Sequence, residues 1–123
     1  MSDQLSQQIT DAIGAHGMWK MRLRTAITTG QSDITPAVAG CSDQCAFGKW
    51  LEGRELSADI RAGVPYQVVR RLHADFHRSA GSVLAHALAG RPQQASAAMN
   101  GEFTERSEKL VRALAKWKGE VGR

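Results

Sequence analysis

The sequence predicts an all-α protein, an antiparallel four-helix bundle with an additional short helix that carries a cysteine. Three observations predict it. Apolar residues recur at alternating steps of four and three along the first stretch and at helical spacing along the later long ones, the period of a helix face packed lengthwise. No run alternates apolar and polar as a half-buried strand would. Breaks rich in Gly, Pro and Ser divide the chain into pieces of helical length. The 123 residues are expected to form a single domain, 1–123, around one core.

The first helix is expected to run from a cap at Ser2 or Asp3 to about Thr28. Its seam is Leu5, Ile9, Ala12, His16, Trp19, Leu23 and Ala26, with an imidazole at His16 where the period calls for Leu. Gly30, Ser32, Asp33 and Pro36 then stop the helix, while Pro36-Ala37-Val38-Ala39 can form one turn. Ser42 or Asp43 caps a short helix that ends by Gly53, read as a C-terminal glycine beyond its last turn. Cys45 is expected in its first turn, where free backbone N–H groups and the helix dipole favour a thiolate. Gly48 is expected to let a neighbouring helix approach, and Trp50 and Leu51 to anchor the segment.

Ser57 to Arg61 supplies one more turn before Gly63. Pro65 opens a long helix to Ala89, halted by Gly90-Arg91-Pro92. Its seam is Tyr66, Val69, His73, Phe76, His77, Ala80, Val83, Leu84, Ala87 and Leu88. The last helix, about Gln93 to Glu120, packs through Ala95, Met99, Phe103, Leu110, Leu114, Trp117 and Val121. It holds no histidine or cysteine, so it contributes packing and not ligands.

His73 and His77 are separated by about 40° of rotation on a helix of 3.6 residues per turn, so two imidazoles can converge on one ion. Such a pair alone is a weak signal. Read singly, His16 is a core histidine satisfied by one hydrogen bond, and Cys45 a small buried hydrophobe. Together, His16, Cys45, His73 and His77 offer three imidazoles and one thiolate, a complete tetrahedral zinc shell. His86 lies about 180° around the helix from His77 and should face away. A closed shell leaves no open position for water or substrate, so a hydrolytic enzyme is not expected.

Composition narrows the partners. Sixteen Lys and Arg stand against twelve Asp and Glu, a formal charge of +4. The excess is interleaved, as where Lys109, Arg112 and Lys116 alternate with Glu102, Glu105 and Glu108, and no clustered basic stripe or recognisable module points to nucleic acid. Two cysteines are too few for a disulfide scaffold and suit a reducing compartment. Met1-Ser2-Asp3-Gln4 lacks the basic and apolar regions of a signal peptide, and no apolar run approaches the roughly 20 residues of a membrane span. A cytoplasmic location is expected, with no membrane partner.

The segments Ala15-His16-Gly17-Met18-Trp19-Lys20, Cys45-Ala46-Phe47-Gly48-Lys49-Trp50-Leu51 and Leu72-His73-Ala74-Asp75-Phe76-His77 resemble the chemoreceptor zinc-binding (CZB) domain of bacterial signalling proteins. The order His, Cys, His, His at intervals of 29, 28 and 4 residues suits that family's pattern, and the resemblance spans about residues 8 to 115. It implies that His16, Cys45, His73 and His77 are the four ligands of Zn2+. It also implies a cytoplasmic regulatory bundle that dimerises, attached to chemotaxis receptors or to the diguanylate cyclases of cyclic-di-GMP signalling. Such domains are linked to sensing zinc, and to sensing oxidants such as hypochlorous acid through the zinc-bound cysteine. No output domain is read within the 123 residues.

The chemistry agrees with the resemblance. Zinc can come and go, or the thiolate can be oxidised and lose its hold on the metal. Cys41, four residues before Cys45, is a candidate redox partner, since that spacing on a regular helix gives a Cα separation near 6 Å, within the disulfide range of about 4.4–6.8 Å. The plainer reading is an incidental small residue. Met18, Met21, Ile27 and Val111 leave apolar surface on further helix faces and, with the family's habit, point to a homodimer. Two other functions compete: a structural zinc bundle serving as a dimerisation or protein-interaction module, and a metalloenzyme or hemerythrin-type di-iron bundle. The last needs more histidines and bridging carboxylates.

Overall fold

A computed structural model describes residues 2–121, and within them all side chains except those of residues 2, 3, 44 and 121. Among the described residues there is no β-strand, and the all-α class holds. Helix α1 spans Ser2–Gly17 and α2 spans Trp19–Thr29. Met18 between them keeps helical dihedrals, φ −71° and ψ −19°, and its N–H is shared by the carbonyls of Gly14 and Ala15, both at 3.2 Å. The two therefore form one nearly continuous span, as the unbroken seam requires. All seven seam residues from Leu5 to Ala26 are buried. The side chains of Ser2 and Asp3, where a cap is expected, lie outside the described residues. Gly30 closes α2 in the left-handed region, φ 71°.

The chain then returns through short pieces. Helix α3 (Pro36–Ala39) is capped by the Thr35 hydroxyl, which accepts from the Val38 N–H at 3.2 Å. A tight turn over Ser42–Gln44 leads into α4 (Ala46–Glu52), and α5 (Ala58–Ala62) is capped by the Ser57 hydroxyl. Helix α6 covers Val64–Leu88. After Gly90, at φ 77°, the chain turns back into α7 (Pro92–Ala98), a wider π-type turn over Met99–Phe103, and α8 (Thr104–Val121).

Side-chain pairings along α6 give the directions. His16 meets His73 and Trp19 meets His77, so the α1–α2 span runs parallel to α6. The Ala39 carbonyl reaches His77, Cys45 reaches His73, and the Leu51 carbonyl accepts from Tyr66 Oη at 3.0 Å, so the short pieces run the opposite way. Phe103 meets Phe76 and Trp117 meets Tyr66, which sets α8 antiparallel to α6. The long spans are thus 2–29, 64–88 and 92–121, and the limb from 36 to 62 consists of the short turns and the short helix that the sequence leads one to expect. Pro36, Gly40, Gly53 and Gly63 divide that limb into pieces too short for one continuous rod.

Three details depart from expectation. Gly53 is extended, φ −77° and ψ −170°, and not left-handed. Leu88, placed on the α6 seam, is 37% exposed because the helix unwinds just beyond it. The last helix is interrupted at Met99–Phe103. Ala95, Met99 and Phe103 follow one another at steps of four, which an ordinary helix would let drift by about 40° each. The wider turn keeps all three buried. The expected core residues Leu110, Leu114 and Trp117 are buried too, whereas the side chain of Val121 lies outside the described residues.

Candidate metal centre

Three elements, α1, the N-cap of α4 and α6, bring His16, Cys45, His73 and His77 together. One ligand-type atom from each lies within 4.8 Å of the others. His16 ends α1, and its Nδ1–H donates to the Ala12 carbonyl one turn earlier at 2.7 Å. His77 on α6 donates its Nδ1–H to the Ala39 carbonyl of α3 at 3.0 Å. Both bonds leave Nε2 as a lone pair, and His77 Nε2 is buried with no hydrogen-bond partner. His73 Nε2 lies 3.0 Å from His16 Nε2 and 3.3 Å from Cys45 Sγ. The three histidines are buried, whereas Cys45 is only partly so.

Cys45 occupies the N-cap of α4 and not its first turn, with extended dihedrals and Sγ accepting from the Gly48 N–H at 3.3 Å. Gly48 is needed close by for a reason the sequence did not suggest. A Cβ there would lie 1.7 Å from the Ser42 carbonyl oxygen, so the intimate neighbour is the preceding turn of the same chain and not another helix. Around the cluster stand aromatic edges: Phe47 at 5.1 Å from His73, Phe76 at 5.1 Å from His16, and Trp19 at 5.6 Å from His77, centroid to centroid. They exclude water and fill the space beside the rings.

Burial governs the protonation states. It pushes His16 down to about 4, against the hydrogen bond to Ala12 and with a smaller push from His77. His73 falls to about 2, by burial first and then by repulsion from His16 and His77. His77 is lowered as well, again by burial, against its bond to Ala39. All three imidazoles are therefore neutral at physiological pH, the form that ligates a metal. Burial raises the Cys45 thiol, outweighing the N–H groups of α4 that favour the thiolate. The N–H groups at the start of α4 favour the thiolate as expected, but burial outweighs them, and a cation beside the sulfur would tip the balance back.

The donor set fits a metal ion. Tetrahedral zinc, with bonds of about 2.0–2.3 Å, sets its ligand atoms about 3.3–3.8 Å apart, and the separations here, from 3.0 Å up to 4.8 Å, bracket that range. The inward Nε2 lone pairs of His16 and His77, the latter without a hydrogen-bond partner, call for a positive charge in this buried site. Three nitrogens and one sulfur form a set of borderline softness. The carbonyls that orient the rings were not anticipated. Ala12, four residues before His16, could have been found from helix geometry, but Ala39 could not, because only the approach of α3 to α6 brings it there.

The remaining candidates lie outside the cluster. Cys41 is exposed and extended, φ −98° and ψ 114°, ahead of the Ser42–Gln44 turn, so the regular-helix spacing to Cys45 does not apply. His86 accepts a hydrogen bond from Arg91 Nε at 3.1 Å over the end of α6, apart from the other three histidines. No described helix is long and apolar enough to cross a membrane.

A family model described as the chemoreceptor zinc-binding domain matches residues 16–84, more than half of the chain and a shorter stretch than residues 8 to 115. All four clustered residues fall within it. Neither a curated protein nor a solved structure matches.

Proposed function

Because the chain belongs to the chemoreceptor zinc-binding domain family, we propose that it is a non-catalytic, cytoplasmic sensory domain that binds one zinc ion through His16, Cys45, His73 and His77. The observation that carries the reading is the convergence of four unprotonated or deprotonatable donors in one buried cluster. Bound zinc supplies the charge that holds the Cys45 sulfur as a thiolate. The carbonyls of Ala12 and Ala39 keep the proton on Nδ1 of His16 and His77, which leaves Nε2 free to ligate.

The signal is zinc availability or an oxidant such as hypochlorous acid. Cys45 is the one member of the cluster that is not fully buried, so it is the ligand an oxidant reaches first. Thiolate and hypochlorous acid give the sulfenic acid and chloride: sulfur loses two electrons and gains OH, and chlorine takes up the electron pair. The sulfenic sulfur ligates poorly. Cys45 then no longer ties the cap of α4 to α6, a local change that an output partner of the chemoreceptor or diguanylate cyclase type can read across a homodimer. In the competing reading the zinc is purely structural, within a dimerisation module.

The deciding experiment is metal analysis of the purified chain with and without Cys45→Ser, followed by chelation. One zinc per chain, lost in the variant, and a reversible change on chelation with helicity retained support the sensor. Global unfolding on chelation supports the structural bundle, and absence of zinc from the native chain overturns both.

A further inference from the structure

Helix α3 crosses α6 at two glycines. A Cβ placed on Gly81 would lie 2.9 Å from Gly40 Cα, 3.0 Å from the Pro36 carbonyl oxygen and 3.1 Å from Gly40 N. No side chain other than hydrogen fits there without moving backbone. Gly81 is one turn beyond His77 on α6, and Gly40 directly follows Ala39, whose carbonyl accepts the His77 Nδ1–H. His77 and Ala39 are each 1% exposed. The other nitrogen of His77, Nε2, faces the cluster with no protein partner.

We infer that the Gly40–Gly81 crossing positions the metal centre, seating α3 so that the Ala39 carbonyl fixes the tautomer and orientation of His77. An imidazole free to carry its proton on Nε2 would present N–H, not a lone pair, to the ion. Gly81 touches no donor atom of the cluster; it acts through Ala39. The inference rests on the reading of His77 as a ligand.

The test uses the full 123-residue chain carrying Gly81→Ala, titrated with zinc against a competing chelator and with cobalt(II), whose visible spectrum reports coordination geometry. Leu114→Ala serves as the control, a cavity in the core of α8, which carries none of the four candidate ligands. Gly81→Ala should lower zinc affinity about 10–100-fold, the usual effect of losing a partner that orients a ligand, and change the cobalt spectrum. Leu114→Ala should melt earlier while keeping both. Gly40→Ala should be milder, because its Cβ meets only the Pro36 carbonyl oxygen at 3.3 Å and atoms at 3.8 Å.

Wild-type affinity and spectrum in Gly81→Ala, or losses no larger than those of Leu114→Ala, overturn the inference. A native chain that takes up no zinc overturns the ligand reading and this inference together, whereas native uptake with an unaffected Gly81→Ala removes this inference alone. If Gly81→Ala fails to fold, nitrogen-15 NMR of the native metal-free chain decides. A proton on His77 Nδ1 supports the positioning, and one on Nε2 overturns it.

Discussion

The Nε2 atoms of His16 and His73 lie 3.0 Å apart across 57 residues of sequence. The pair exists because the α1–α2 span and α6 run in the same direction, with the return limb between them bringing Cys45 to the same level. With His16 protonated at Nδ1 toward Ala12, its Nε2 points a lone pair at His73 Nε2, and two nitrogens so close share either a proton or an ion.

The native chain should carry one zinc, and His73→Ala or His77→Ala should lower its affinity by more than the roughly 10–100-fold expected for losing an outer partner alone. His86→Ala should leave it unchanged, because His86 bonds to Arg91 and not to the cluster. Metal analysis after exhaustive dialysis checks this. Equal losses in all three variants would discard the assignment.

Brief treatment of the zinc-loaded chain with hypochlorous acid should oxidise Cys45 and release zinc in parallel, followed by mass spectrometry and a zinc-sensitive dye. Release with Cys45 still reduced would refute the redox mechanism. A Cys41–Cys45 disulfide requires the Ser42–Gln44 turn to rearrange, since Cys41 is exposed and extended. Sulfinic acid at Cys45 without that linkage would leave Cys41 a bystander.

Gly48→Ala should destabilise the chain by at least about 1–3 kcal/mol, the range for overpacking a filled site, because its Cβ would lie 1.7 Å from the Ser42 carbonyl oxygen. Gly14→Ala, with nothing within 4 Å of its Cβ inside α1, should raise stability by up to about 1 kcal/mol through helix propensity. Thermal melts of both variants separate the two glycines, and equal melting temperatures would contradict the geometry.

Homodimerisation should bury the exposed Met18 and Met21, which are 56% and 62% exposed. Sedimentation at high micromolar concentration should show a dimer, and Met18→Glu with Met21→Glu should dissociate it. A native monomer under those conditions removes this expectation.

The sequence by itself determined the buried seams of the first span and of α6, apart from Leu88. The seam from Leu5 to Ala26 and that from Tyr66 to Ala87 are buried as their spacing implies, because helical period and burial are two statements of one geometry. His16 and His73 were legible for the same reason, as polar residues at positions the period assigns to the core, and His77 followed from its spacing to His73. Only the tertiary structure decided how the limb between the long helices meets them. Cys45 comes to His73 and the Ala39 carbonyl to His77, both consequences of which distant segments meet. The same holds for the Cys45 thiol. Local sequence places it at a helix N-terminus that favours the charged form, but burial against α6 reverses the balance, and desolvation depends on neighbours that no stretch of sequence names.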